Sequence, residues 1–237
     1  MTTVTGGSAA PEWGGLVRDI ERHLEEARST VNGILASVPA VFRWAADAVH
    51  DAWNWLMDRA DELWQVISDP YRRPGDRAEL RSMIGRWRTD AASELANLTR
   101  RIDPNSLATD DEWAGKGAQK YQQAVAAQRT TLTGFESAIS TPVTASLEKL
   151  AGGLDVFTTL MYTTLGTLIG GLIAGIGCLA GIVTAPAAII TMVTAIAAAL
   201  VQIISANVQL DNAISAAQSQ IEGIAGRATA WPEFASE

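Results

Sequence analysis

The chain has 237 residues, a formal net charge of −8, two histidines and one cysteine, and nearly half of it is apolar. An acidic balance with no dense Lys/Arg patch argues against binding nucleic-acid backbone, which requires clustered cations. A single Cys178 excludes an intrachain disulfide and a multi-cysteine metal site, and packs as a small apolar residue.

Met1 to Gly15 shows neither a basic nor an apolar stretch of the kind that marks a secretory signal, so export, if it occurs, is expected by another route. Residues 1–70 form an N-terminal amphipathic, Trp-rich arm. From Trp13 through Val17, Ile20, Leu24 and Ala27, and on to Trp53, Met57, Ala60 and Trp64, apolar residues recur in alternating steps of three and four. That spacing predicts a long helix with a coiled-coil-like seam. Pro39 either kinks it or divides it, because proline disfavours helix at Val38 before it. Trp44 and Trp55 share one face, and Trp53 and Trp64 lie nearly opposite, so both faces call for cover. Trp44 and Trp55 then either face a partner element or sit at a membrane interface.

Asp69-Pro70 and Pro74-Gly75 read as a break. The nearby Arg72, Arg73, Arg77 and Arg81 are diluted by Asp69, Asp76 and Glu79 and read as a solvated connection. Residues 77–150 predict a helical hairpin. Its first helix runs from Arg77 to Arg101, with Leu80, Ile84, Trp87, Ala91, Leu95 and Leu98 on one stripe, and stops at Asp103-Pro104-Asn105. Thr109 and Glu112 have capping-box spacing, so the next helix is expected to start at Asp110–Trp113. Its stripe is Tyr121, Val125, Leu132, Phe135, Ile139 and Val143, and Pro142 marks either a kink or the first turn of a further helix.

Trp113-Ala114-Gly115, followed by Gly117-Ala118 and Tyr121, resembles the turn of the WXG family of helical-hairpin proteins secreted by type VII systems. The resemblance covers about Arg77 to Leu150 and is closest to longer, multi-helix relatives. It implies that Trp113 packs at the turn between antiparallel helices and that Gly115 leaves room for their approach. It also implies a WXG-like protein partner or a homo-oligomer, and the type VII machinery. The Tyr-x-x-x-Asp/Glu export signal common in such substrates is missing, since Tyr71, Tyr121 and Tyr162 are followed four positions on by Gly75, Val125 and Gly166.

Residues 151–226 predict an apolar helical hairpin, and residues 227–237 a tail. Val156 to Leu210 contains no charged residue. Arms at Phe157–Val183 and Ala187–Ile204, with Pro186 at the tip, each approach or exceed the roughly 20 apolar residues that cross a bilayer. Gly166/Gly170, Gly171/Gly175 and Gly177/Gly181 have the small-xxx-small spacing that lets helices pack closely in lipid. The competing reading is a water-soluble bundle with the same helices buried on all sides.

His23 and His50 lack a matching ligand or catalytic set, and no phosphate-binding or dinucleotide fingerprint is present. Catalysis, a cofactor and a metal are not expected. The fold expected is all-α: an elongated helical bundle joining the WXG-like hairpin to the apolar one. Two functions follow from different classes. One is a secreted or membrane-associated type VII protein whose hairpin enters membrane lipid and oligomerises there, with a pore as one outcome. The other is a soluble helical-bundle partner or carrier for another type VII substrate.

Overall fold

The computed structural model describes residues 13–72, 76–102 and 115–228. All regular structure among them is helical. Helix α1 spans Gly14–Ala36, a 3-10 turn follows at Ala40–Phe42, and α2 spans Arg43–Arg72. A helix from Arg77 to Arg101 comprises α3 (Arg77–Arg86), a π turn (Trp87–Ala91) and α4 (Ala92–Arg101). Helix α5 (Lys116–Phe135) passes through a second π turn (Glu136–Ser140) into α6 (Thr141–Gly177), and α7 covers Ala185–Ala228. The chain forms two compact units: residues 1–75 with 155–210, and residues 76–154 with 211–237.

In the first unit, Pro39 divides the N-terminal arm. It sits in extended conformation (φ −66°, ψ 150°), and α1 has already ended at Ala36. Trp13, Val17, Ile20, Leu24, Ala27 and Val31 are buried as the three-and-four spacing requires. Past the 3-10 turn the seam changes phase. Ala45, Val49 and Ala60 stay on it, but Leu56, Leu63 and Ile67 take the place of Trp53, Met57 and Trp64, which are only partly buried. The change falls within α2, after Val49: successive steps of four from Ala45 drift about 40° each around the helix, whereas Leu56, Ala60, Leu63 and Ile67 alternate steps of four and three.

Pro70 does not end α2, which continues to Arg72. Proline removes the amide that would reach the carbonyl four residues back, at Val66. That carbonyl instead accepts from Asn207 Nδ2 at 3.5 Å, at the outer limit of a hydrogen bond. Buried residues of α1, α2, α6 and α7 merge into one core, so the amphipathic arm and the apolar hairpin pack together.

In the second unit, α3 starts where its sequence predicts, with Asp76 accepting from the Glu79 amide at 2.8 Å. Ile84 and Val125 anchor its apolar stripes, whereas Leu98 and Tyr121, expected on them, are 41 % and 44 % exposed. Arg88 on the first π turn pairs with Glu148 on α6. Pro142 lies in the first turn of α6, the second of the two readings its sequence allows. Having no amide to return to Ala138, it follows a π turn that widens the helix by one residue. Ser146 Oγ ties α6 to Gln220 Oε1 on α7 at 2.9 Å.

Candidate functional site

The uncharged hairpin is the candidate site, and its turn lies earlier than its proline suggests. Helix α6 ends at Gly177, the connection runs from Cys178 to Thr184, and α7 begins at Ala185. Pro186 is therefore not the tip. It occupies the first turn of α7, where an amide has no helical acceptor and its loss costs nothing. The amides of Cys178, Leu179, Ala180, Thr184 and Ala185 all find acceptors within the turn region, at 2.8 to 3.2 Å. Leu179 folds back into the core, while Val183 is 66 % exposed and Cys178, expected to pack as a small apolar residue, is exposed because it lies in the turn past the end of α6.

Only part of the glycine pattern packs the arms. A Cβ at Gly171 would lie 2.5 Å from Ala195 Cβ, and one at Gly175 would lie 2.2 Å from Met192 Cγ and 3.2 Å from the Ala188 carbonyl oxygen. These two glycines admit the close approach of α6 and α7. At Gly166, Gly170, Gly177 and Gly181 a Cβ would meet no described atom within 4 Å. Gly166, Gly170 and Gly177 face outward. Spacing could not separate these sets, because Gly170 and Gly171 differ by about 100° of helix rotation and only tertiary packing selects one. Close to the inner seam, buried Thr164 Oγ1 donates to Gln202 Oε1 at 2.8 Å, a cross-helix polar tie that periodicity alone does not reveal.

The outward faces are of one kind. On α6 they show Thr159, Tyr162, Thr163, Gly166, Gly170 and Ile173; on α7 they show Ile190, Thr194, Ala197, Val201, Ile204 and Val208. The α7 stripe again steps by four and three, and Val201 on it is 70 % exposed. Thr159, Thr163, Thr167, Thr191 and Thr194 each donate their hydroxyl to the carbonyl four residues back, at 2.8 to 3.0 Å, so none of these donors needs water. Only 44 % of the most apolar stretch of α7 is buried. A buried-on-all-sides helix is therefore not what α7 is. By contrast, the outward faces of α1 and α2 carry Arg18, Glu21, Arg22, Glu25, Asp51 and Asp58, among other charges.

The two tryptophans assigned to one face have unequal surroundings. Trp44 is 65 % exposed at the start of α2. Trp55 is 47 % exposed but lies one turn from Asp51 on one side and Asp58 and Arg59 on the other, on the charged face.

Trp113, Thr109 and Glu112 lie outside the described residues. Gly115 has φ +108°, a left-handed backbone that favours glycine. Among the described residues nothing approaches within 4 Å of where its Cβ would be. His23 Nδ1 lies 3.1 Å from Glu26 Oε2 on the same helix. Among the described residues no group of three or more His, Cys, Asp or Glu is placed to hold a metal ion. Compared with protein-family models, curated proteins and solved structures, the chain matches none.

Proposed function

We propose that this is a non-enzymatic, export-associated helical protein whose apolar hairpin associates with a membrane and inserts into it. The observation that carries the reading is the asymmetry of the first unit. The inner face of the hairpin is covered by α1 and α2, yet its outer face is exposed and uncharged from Val156 to Leu210. A surface helix of a water-soluble bundle ordinarily sets charged residues on that face. At about 1.5 Å per residue, the uncharged parts of α6 and α7 each extend at least 30 Å, the thickness of a bilayer's hydrocarbon core. Four of the seven amides of the turn are bonded internally, which lowers the cost of carrying them into lipid. In this mechanism the charged outer faces of α1 and α2 keep the hairpin in solution, and insertion exchanges their cover for lipid. The type VII association rests on the WXG-like turn, of which Gly115 is the described part.

A second reading has its own support. The shared core of α1, α2 and the hairpin suits a soluble partner or carrier whose exposed stripe meets a protein. Cys178, the only cysteine and exposed at the turn, separates the two. With a polarity-sensitive fluorophore on Cys178, insertion predicts blue-shifted emission on adding phospholipid vesicles and retention of the protein on them through an alkaline wash. Unchanged emission from a protein that stays monodisperse beside the vesicles would overturn insertion in favour of the carrier.

A further inference from the structure

Two exposed apolar segments of the first unit, distant in sequence, lie at one end of it. Asn207 of α7 bonds the Val66 carbonyl of α2, which fixes these two points at one level. Trp44 precedes Val66 by 22 residues, and Ala185 precedes Asn207 by 22. The buried stripe of α2 belongs to the core of residues 155–210, so α2 runs back from Val66 alongside α7 rather than away from it. With equal rise per residue, both helices begin at the same level, about 33 Å from the Asn207 contact. The α1–α2 corner and the hairpin turn are thus neighbours at the tip of this unit.

The tip is apolar and nearly uncharged. Val41 (80 % exposed), Phe42, Trp44 and Val183 project from it. Residues 29–46 carry one charged side chain, the exposed Arg43, and the hairpin turn carries none. Exposed Asp47, one turn along α2, balances Arg43, so in a chain of net charge −8 this end is close to neutral.

We propose that this tip is a membrane-docking surface, with Phe42, Trp44, Val41 and Val183 entering the headgroup and upper acyl region and Arg43 meeting anionic headgroups. The proposal rests on the membrane reading above and assigns the residues that make first contact. Indoles favour that boundary, where the ring is in apolar surroundings and its N–H meets water or headgroups. Four exposed apolar side chains are few beside the roughly 20–30 residues that each partner gives to a standard protein interface. Tip-to-tip pairing of two copies would also oppose Arg43 to Arg43. A fluid bilayer takes up such a wedge and is continuous with the lipid the hairpin would enter next.

The test uses the full chain labelled at Cys178 and vesicles of phosphatidylcholine, with and without phosphatidylglycerol. Partition is measured by cosedimentation. Phe42→Ser with Trp44→Ser is expected to weaken partition about tenfold, each removing exposed apolar area rather than core. Val41→Ser with Val183→Ser is expected to weaken it in the same direction. Trp55→Ser, on the charged face, should partition like wild type, and Arg43→Gln should lose the preference for phosphatidylglycerol. If both tip variants partition like wild type while wild type binds, the docking tip is overturned and the membrane reading stands. An equal loss in Trp55→Ser overturns the tip in favour of the side of α2. Wild type that binds neither vesicle overturns both. Unchanged melting of the variants shows that the fold is not the cause.

Discussion

Gly171 and Gly175 have no room for a methyl group, whereas Gly166 and Gly170 have open space, although all four belong to the same sequence pattern. Gly175→Ala is expected to destabilise the protein by about 1–3 kcal/mol, since Met192 is fully buried and the Ala188 carbonyl belongs to the backbone. Gly166→Ala and Gly170→Ala should each stabilise it by about 0.5–1 kcal/mol through helix propensity. Urea midpoints would check these opposite signs. Pro70 and Asn207 allow a second test. Asn207→Ala leaves the Val66 carbonyl without its side-chain donor and should cost about 1 kcal/mol. In a Pro70→Ala background the helix amide is restored, and the same change should cost little, giving a measurable coupling in a double-mutant cycle. The sequence announces Pro70 as a break. It is tolerated because it lies near the end of α2, where Asn207 serves the freed carbonyl.

At the scale of helices, the faces of the hairpin separate stability from membrane activity. Ile196 is fully buried, so Ile196→Asp places an unpaired carboxylate in the core and should unfold the first unit. Ile173 and Val201 face outward, so Ile173→Asp with Val201→Asp should melt within about 0.5 kcal/mol of wild type yet fail to insert, read by the Cys178 label and the alkaline wash. A pair that melts like wild type and still inserts would exclude the outer face as the lipid contact. Much of this level was legible beforehand: the α1 stripe, the start of α3 and the uncharged arms follow from spacing and composition. The altered seam of α2 and the turn at Cys178–Thr184 were not. The first depends on which of several near-equivalent steps within α2 meets the core, and the second on a turn with no proline to mark it. Trp113 lies outside the described residues, and Gly115 has a left-handed backbone.

Over the whole molecule, charge and apolar surface are segregated within the first unit. If α1 and α2 are the hairpin's soluble cover, loosening them should favour lipid. Leu56 and Leu63 are fully buried on the inner face of α2. Leu56→Ala with Leu63→Ala should each cost about 2–5 kcal/mol of stability and raise vesicle binding, seen as more protein floating with vesicles and more light scattering without them. Reduced flotation would reverse the role assigned to α1 and α2.

By itself the sequence determined that the chain is helical, that its N-terminal arm is amphipathic, and that Val156 to Leu210 lacks charge. These are properties of composition and of a 3.6-residue period, set along the chain. Tertiary structure decided which side of each helix is covered and which glycines meet a neighbour. Those depend on helix rotation and on contacts such as Asn207 with Val66, between residues 141 positions apart. Local periodicity carries no record of such contacts.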